Sequence, residues 1–361
     1  MNQVFTCAPR AAATDHGHAV RVRRNGRSAV IDIHCHIAVP AADALIRGRE
    51  EAMTRPPSFS SPASDAVNRA QFRDIATRLT GVEERLADMD RLGVDIQAIS
   101  PSPGHYYYWA PPDAAREACR VVNDGVAEAV GGHPDRFVGM GTVPLQAPEL
   151  AIAEMRRCVK DLGFRGIEIC TNVAGRELSE ADFRPFFAAA EELGVLIFMH
   201  PLGFTHGQRL TQHYFNNVIG NPLESTLAVS HLIFGGVLER HPGLKLCIAH
   251  GGGYLPAYFG RMDHAWRARA DCREHISRPP SDYLRRIYFD TLVHDRRQLE
   301  FMVKTWGAEH LCMGTDYPFD MGEPDPVGFH DQLSKADRDR ILGGTAAELL
   351  GLAVTRISEI A

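Results

Sequence analysis

The chain has 361 residues, a length that suits one α/β barrel with insertions, for which about 250 to over 400 residues are needed. Its residues are 45% hydrophobic and 23% charged, as in ordinary globular proteins, and no stretch of about 18 apolar residues predicts a membrane-spanning helix. The net charge of −6 argues against nucleic acid or an anionic membrane as a partner, because both select basic surfaces.

The first residues carry several arginines but no apolar segment of the signal-peptide type. We therefore expect an irregular extension over 1–28, followed by a single catalytic domain over 29–361. The eight cysteines are scattered and form no CxxC pair, which is typical of free thiols in a reducing compartment. Together these features predict a cytoplasmic protein.

From residue 29 onward, short apolar β-rich runs alternate with longer helical patterns. Eight runs predict strands at 30–36, 96–100, 137–143, 166–169, 196–200, 244–250, 287–291 and 311–315. Six patterns predict helices at 82–92, 114–131, 148–162, 182–193, 222–240 and 296–306. Such alternation implies parallel strands joined by right-handed crossovers, and eight such units close a (β/α)₈ TIM barrel. A doubly wound sheet is the alternative fold, but it usually has a glycine-rich phosphate turn after its first strand, where this chain has His-Cys-His-Ile.

Two long insertions follow predicted strands. The first spans 38–81 and contains PPSFSSPAS, a proline- and serine-rich stretch typical of a loop. The second spans 201–221 and carries Arg209. Loops longer than about 15 residues are usually functional or disordered, and loops at this end of a barrel cover the active site. We therefore expect both insertions to border the functional site.

Imidazole and carboxylate side chains stand where the predicted strands end. His34 and His36 end the first strand, His200 ends the fifth, His250 ends the sixth, and Asp316 follows the eighth. Residues two apart point to the same face of a strand, so the first two histidines face one way and the cysteine between them faces the other. Because the strands of a barrel end at one face, we expect the five side chains to converge there.

A single histidine at a strand end is usually structural and hydrogen-bonded. Five such groups at four strand ends are not explained in this way, because burying them without a metal leaves several polar groups unpaired. Imidazole and carboxylate groups suit Zn²⁺ or a similar divalent ion with one open position. The sequence therefore predicts a metal-dependent active site.

Four segments, DIHCHI, FMHP, IAHGGG and GTDYPF, occur in this order and resemble the amidohydrolase superfamily. Within it, the chain is similar to the aminocarboxymuconate semialdehyde decarboxylase-like family. The similarity is strongest in HLIFGGVLERHPGLKLCIAHGGGYLP, GRMDHAWR and FDTLVHD, and it extends from about residue 30 to 352. It implies a metal-dependent barrel enzyme.

The resemblance also implies roles for the strand-end residues. His34, His36, His200 and Asp316 match the ligands of a single metal ion, usually zinc, with manganese as the alternative. We expect their donor atoms within about 2.0–2.3 Å of that ion. His250 matches a catalytic histidine beside the metal that is not itself a ligand.

Two arginines match residues that bind substrate in this family. Arg73, in QFRDIATRL, resembles an arginine of the first long loop that binds a substrate carboxylate. Arg261, in GRMDHAWR, matches an arginine that reaches the site of a neighbouring subunit. Either guanidinium can pair with a carboxylate through two hydrogen bonds. The resemblance thus implies a small-molecule carboxylate substrate and a homodimer that shares Arg261 across its interface.

Two positions depart from patterns seen in relatives. The decarboxylases typically have a tryptophan directly after HP on the fifth-strand loop, whereas this chain continues with Leu202-Gly203-Phe204. That loop lines the substrate pocket, so the pocket differs here. The fourth strand ends in Glu168-Ile169-Cys170 and lacks the lysine that bridges two metals in dinuclear relatives, which predicts one metal.

The expected reaction is non-oxidative decarboxylation of an unsaturated or aromatic carboxylic acid. The alternatives are a hydrolase that cleaves a lactone, amide or ester at the same centre, a hydratase, and a binding protein without catalysis. Asp290, at the end of the seventh strand, is expected either to orient a metal-binding histidine or to cap its own strand.

Overall fold

The computed structural model describes residues 28–47 and 58–353. Apart from Ser28, the extension predicted for 1–28 lies outside the described residues. The seven cysteines in the described ranges are all unpaired, and six of them are buried, as predicted for free thiols.

Eight parallel strands form one sheet in sequence order, and they confirm the predicted (β/α)₈ barrel. Backbone hydrogen bonds close the barrel between its first and last strands, from Ile33 N to Met313 O at 3.0 Å and from His36 N to Tyr317 O at 2.8 Å. The strands are β1 (Ile31–Ile37), β2 (Ile96–Pro101), β3 (Phe137–Gly141), β4 (Gly166–Ile169), β5 (Leu196–Met199), β6 (Leu246–Ile248), β7 (Tyr288–Asp290) and β8 (Leu311–Cys312).

Helices surround the sheet, and all six predicted helices are present, the one at 296–306 with the predicted bounds and the other five with shifted bounds. The helices are α1 (Pro40–Arg47), α2 (Pro62–Asp74), α3 (Ala76–Thr80), α4 (Glu83–Leu92), α5 (Pro112–Gly132), α6 (Pro148–Lys160), α7 (Arg184–Leu193), α8 (Asn221–Phe234), α9 (Val237–Arg240), α10 (Leu255–Ala268), α11 (Pro280–Leu284), α12 (Arg296–Trp306), α13 (Lys335–Asp339) and α14 (Thr345–Leu349). The helix predicted over 222–240 is two helices, because Gly236 adopts a left-handed φ of 72° that interrupts it. Within the described part of the chain, no helix combines the length and apolar character that crossing a membrane requires.

The first insertion contains more helix than the sequence indicated. The proline- and serine-rich stretch at 56–64 was expected to be a loop, yet its last three residues begin α2. Ser61 caps this helix by accepting a hydrogen bond from Ser64 N at 3.1 Å, and Pro62 occupies the first turn, where its missing N–H costs nothing. Helix α10, the first α-helix after β6, was also not predicted.

The barrel has an inner and an outer apolar layer. Along β1, the alternation of inward-facing and outward-facing side chains shifts by one position. Ile31 and Ile33 belong to the inner cluster, whereas Cys35 and Ile37 pack in the outer cluster against the helices. The register of β1 against β2 is irregular between Asp32 and Cys35. A bulge of this kind changes the direction of side chains along a strand. His34 and His36 therefore point into the barrel mouth while Cys35 points out, as predicted.

Candidate metal centre

Three donor atoms from the first and last strands lie close together at the carboxyl end of the barrel. His34 Nε2 and His36 Nε2 are 3.2 Å apart. Asp316 Oδ1 lies 3.3 Å from the first of these nitrogens and 3.2 Å from the second. Two ligands of one tetrahedral ion at about 2.1 Å lie roughly 3.4 Å apart, so this triangle has the dimensions of a ligand set.

His200 and His250 complete the cluster from the neighbouring strand ends. Their ring centroids are 4.8 Å apart, and the ring of His200 lies 4.8 Å from that of His36. One donor atom each from His34, His200, His250 and Asp316 lie within 4.8 Å of one another. The structure therefore brings together all five residues that the sequence placed at strand ends.

Several polar atoms of this cluster are buried without a hydrogen-bond partner. They include both ring nitrogens of His200, Nδ1 of His250 and Oδ1 of Asp316. Desolvation disfavours the charged imidazole and holds the pKa of His200 well below its ordinary value, with the nearby histidines acting in the same direction. Imidazole nitrogens and a carboxylate oxygen that lack protein partners fit a divalent cation as their missing partner.

Two members of the cluster have strained backbone conformations. His250 has a φ of 55° and Asp316 a φ of 57°, in the left-handed region that residues with a Cβ rarely occupy. The second is held by a hydrogen bond of 2.7 Å from Asp316 N to His34 O. Strain of this kind persists where surrounding contacts fix it, and it concentrates at functional sites.

Asp290 links the cluster to the seventh strand, orients His34 and caps its own strand end, where Leu292 N donates to its Oδ1 at 3.2 Å. Its Oδ2 accepts a hydrogen bond from His34 Nδ1 at 2.6 Å, which directs Nε2 of that ring toward the donor triangle. It also caps the loop after β6, because its carboxylate accepts from His250 N at 3.0 Å and from Gly251 N at 2.6 Å. Burial is the largest single effect and opposes ionisation, but the hydrogen bonds from His34 and Gly251 and the nearby imidazoles together outweigh it, so the pKa of Asp290 lies below its ordinary value.

Asp32, which sequence reasoning did not identify, ties the backbone of β1 to that of β8. Its Oδ1 accepts hydrogen bonds from His34 N and from Thr315 N, both at 3.1 Å. Its Oδ2 accepts from the Thr315 hydroxyl at 2.6 Å and from Gln97 Nε2 at 3.1 Å. Burial raises the pKa of Asp32 to about 6, although the hydrogen bond from Thr315 acts in the opposite direction.

Arg85 supports the same region from the outer layer, and sequence reasoning missed it as well. Its fully buried guanidinium donates to Gln97 Oε1 at 3.0 Å and to the carbonyl oxygen of His36. It also lies 4.8 Å from the ring centroid of Tyr317. Its only sequence signal is an arginine among the hydrophobic positions of α4, which by itself resembles an ordinary surface charge.

The two arginines of the sequence analysis lie on helices, and both are exposed in the single chain. Arg73 is in α2, next to Phe72. The ring of Phe72 lies 6.0 Å from that of Phe319, and the ring of Phe319 lies 5.6 Å from that of His36. Arg261 is in α10, which begins shortly after His250.

Comparison with known proteins gives consistent matches over nearly the whole chain. The family model described as Amidohydrolase matches residues 31–352. A 2-amino-3-carboxymuconate-6-semialdehyde decarboxylase of Dictyostelium discoideum is 36% identical over 332 residues, which cover 90% of this chain and 92% of that protein.

Solved structures match the fold. The 5-carboxyvanillate decarboxylase of Sphingomonas paucimobilis has a TM-score of 0.78 at 25% identity, covering 90% of this chain and 99% of that one. A dihydroxybenzoic acid decarboxylase of Polaromonas sp. JS666, solved with bound manganese and 2-nitroresorcinol, has a TM-score of 0.77 at 24% identity and covers 91% and 98%.

Proposed function

This chain belongs to the amidohydrolase family, and we propose that it is a metal-dependent, non-oxidative decarboxylase of an unsaturated or aromatic carboxylic acid. The observation that carries the proposal is the convergence of four histidines and one aspartate, with unpaired donor atoms, at the carboxyl end of the barrel. The similarity to the Dictyostelium decarboxylase supports this reaction class.

We assign His34, His36, His200 and Asp316 as the metal ligands. Nε2 of His34, Nε2 of His36 and Oδ1 of Asp316 lie 3.2–3.3 Å from one another, which supports this assignment. The two ring nitrogens of His200, which have no hydrogen-bond partner, support it as well. His250 is assigned to acid–base chemistry instead, because its Nε2 is 3.9 Å from Asp316 Oδ2 and its side chain retains 15% exposure.

One divalent ion, Zn²⁺ or Mn²⁺, is expected in this centre. Three imidazoles and one carboxylate suit Zn²⁺, whereas the Polaromonas neighbour holds manganese. Metal analysis of the purified protein distinguishes the two ions.

The reaction breaks the bond between a carboxylate carbon and an unsaturated carbon. CO₂ leaves, the electron pair stays on the unsaturated carbon, and one proton is added there. When bound, the ion supplies a Lewis acid that stabilises negative charge on the substrate. His250 stands beside the donor cluster with its Nδ1 unpaired, and it holds the proton and delivers it to that carbon.

Arg73 and Arg261 are proposed to bind the substrate carboxylate, and the second is proposed to do so across a homodimer interface. Arg261 shares one face of α10 with Tyr258, while Tyr254 lies one turn earlier on that face; the tyrosines are 65% and 38% exposed. Tyrosine and arginine are enriched in protein interfaces, which supports a partner subunit at this helix. A twofold dimer then contains two equivalent shared sites.

The loop after β5 is proposed to form an apolar wall of the substrate pocket. Leu202, two residues beyond the proposed ligand on that strand, is 59% exposed. The loop is held in place by hydrogen bonds from Gly203 N to Asn221 Oδ1 at 2.7 Å and from Phe204 N to Asn216 Oδ1 at 2.9 Å. An apolar wall suits the flat carbon skeleton of an unsaturated or aromatic acid.

The proposal is tested by supplying the metal-loaded protein with carboxyl-labelled 2-amino-3-carboxymuconate semialdehyde and 2,6-dihydroxybenzoate. Release of labelled CO₂ that stops after chelation supports the decarboxylase. A hydrolase is recognised instead by turnover of a lactone, amide or ester with incorporation of oxygen from labelled water and no CO₂. A hydratase is recognised by addition of water to the double bond.

Fractionation of the source cells tests the proposed cytoplasmic location, which the free cysteines support.

A further inference from the structure

Glu168, near the end of β4, is a buried acid that the proposed mechanism does not use. Its side chain is fully buried inside the barrel, between outward-facing Ile167 and Ile169. Its Oε1 accepts a hydrogen bond from the Tyr106 hydroxyl at 2.6 Å. Its Oε2 has no hydrogen-bond partner, which is costly for a buried polar atom.

The unpartnered oxygen faces a proposed metal ligand. Glu168 Oε2 lies 3.6 Å from His36 Nδ1, which is ion-pair distance rather than a hydrogen bond. Within the described ranges, His36 is the only basic side chain this close to Glu168. The same nitrogen has two neutral acceptors nearby, the carbonyl oxygen of Pro101 and the hydroxyl of Ser100, both at 3.3 Å. The carboxyl group of Glu168 is therefore a further acceptor facing a nitrogen that already has two neutral partners.

The position of this acid argues against its being a metal-bridging group. A ligand that bridges two ions must reach the donor centre, where Nε2 of His36 points. Glu168 instead approaches the other ring nitrogen, so the imidazole stands between its carboxylate and the donor triangle. An ion bound at Nε2 leaves the proton of the neutral ring on Nδ1, which makes that edge a hydrogen-bond donor.

We propose that Glu168 is a positioning residue that orients His36 and supplies negative charge behind it, so that one metal ion binds tightly. The proposal rests on the metal centre of the proposed function. Acceptors that face the second nitrogen of a metal-binding histidine fix the ring and raise its basicity, and their loss typically costs about 10–100-fold in metal affinity. Asp290 has the corresponding place behind His34, at hydrogen-bond distance.

The test measures metal affinity rather than turnover. Glu168→Gln keeps the size of the side chain and removes its charge. The Kd for Zn²⁺ and Mn²⁺ is measured by competition with a chelator, and the visible spectrum of the Co²⁺-loaded protein reports the ligand geometry. We expect the Kd to rise by about 10–100-fold and the Co²⁺ spectrum to shift.

Glu154→Gln is the matched control, because Glu154 is a buried glutamate in α6 that pairs with Arg157 at 2.7 Å, outside the barrel. It is expected to lower the unfolding temperature and leave the metal Kd unchanged. An equal loss of affinity in this control overturns the proposal, because the effect is then not specific to Glu168.

A metal Kd within twofold of the wild type and an unchanged Co²⁺ spectrum for Glu168→Gln also overturn it. If that variant does not fold, Tyr106→Phe takes its place, because it removes the hydroxyl that holds Oε1. Tyr106→Phe is expected to weaken metal binding, and an unchanged metal Kd overturns the proposal. If the wild-type protein binds none of the three ions, the proposed metal centre is wrong. If the wild-type protein binds metal and Glu168→Gln binds it equally well, only the role proposed for Glu168 is wrong.

Discussion

His34 Nδ1 donates a hydrogen bond to Asp290 Oδ2 over 2.6 Å, and both side chains are fully buried. The two residues are 256 positions apart in the chain, and the contact joins the first barrel strand to the seventh. It leaves Nε2 of the imidazole as the nitrogen that faces the donor triangle. The tautomer and the orientation of His34 are therefore set by a carboxylate outside the proposed ligand set.

Asp290→Asn is predicted to weaken metal binding by about 10–100-fold, because the amide has one acceptor oxygen where the carboxylate serves His34 and three backbone amides. Chelator competition measures the effect. Asp295→Asn is the control, since Asp295 caps α12 at the surface and asparagine caps helices equally well. Equal metal affinities for all three proteins contradict the prediction.

His200→Ala is predicted to abolish stoichiometric metal binding. His200 is buried, and neither of its ring nitrogens has a protein partner. Metal content is measured after dialysis against a fixed free concentration of the ion. His241→Ala, which removes a histidine paired with Glu191 at 3.0 Å, is the control and keeps its metal. Full occupancy and unchanged activity of His200→Ala rule out the ligand assignment.

His250→Ala is predicted to keep the metal and to lose about 10²–10⁴-fold in kcat, the usual effect of removing an acid–base group. Metal content and kcat are measured on the same preparation. If the variant loses its metal together with its activity, His250 is a ligand and the assigned roles are wrong.

Arg261→Ala and His250→Ala chains are each predicted to be inactive alone and to regain activity when mixed. In a mixed dimer, one site contains an intact His250 and receives Arg261 from the partner, provided that the arginine crosses the interface. Activity is measured after subunit exchange, which native mass spectrometry verifies. An absence of rescue after verified exchange, or an active enzyme that is strictly monomeric, contradicts the sharing.

His330 is predicted to make the protein less stable as the pH falls from about 6.5 to 4. Burial lowers the pKa of His330 to about 4 in the folded protein, against an ordinary value of 6.5. Between these values the unfolded chain binds a proton that the folded chain does not, so acid favours unfolding. The full contribution, up to about 3 kcal/mol, is lost as the pH falls through this window.

The measurement is the free energy of unfolding at pH 7 and pH 4.5 by chemical denaturation. His330→Gln is expected to lose less stability between the two pH values than the wild type. His275→Gln, at an exposed histidine, is the control and keeps the wild-type difference. The same pH difference in all three proteins contradicts the prediction.

The amino-acid sequence was sufficient to predict the barrel and the strand ends that carry its chemistry. Periodicity distinguishes short buried strands from amphipathic helices, and alternation of the two permits few topologies. All eight predicted strands are present, and the five strand-end residues converge as expected. Helix bounds were less certain, as the interruption at Gly236 and the start of α2 at Pro62 illustrate.

The surroundings of the donor atoms were decided only by the tertiary structure. Asp32 reaches Thr315 across 283 residues, Asp290 reaches His34 across 256, and Glu168 faces His36 from another strand. Each is one acidic residue in a strand, and no local pattern separates it from an ordinary buried polar group. Their partners depend on strand register and on the irregularity of β1, which are set when distant strands pair and pack. Periodicity along the chain reports which face a side chain occupies, whereas its contacts depend on residues that only folding brings near.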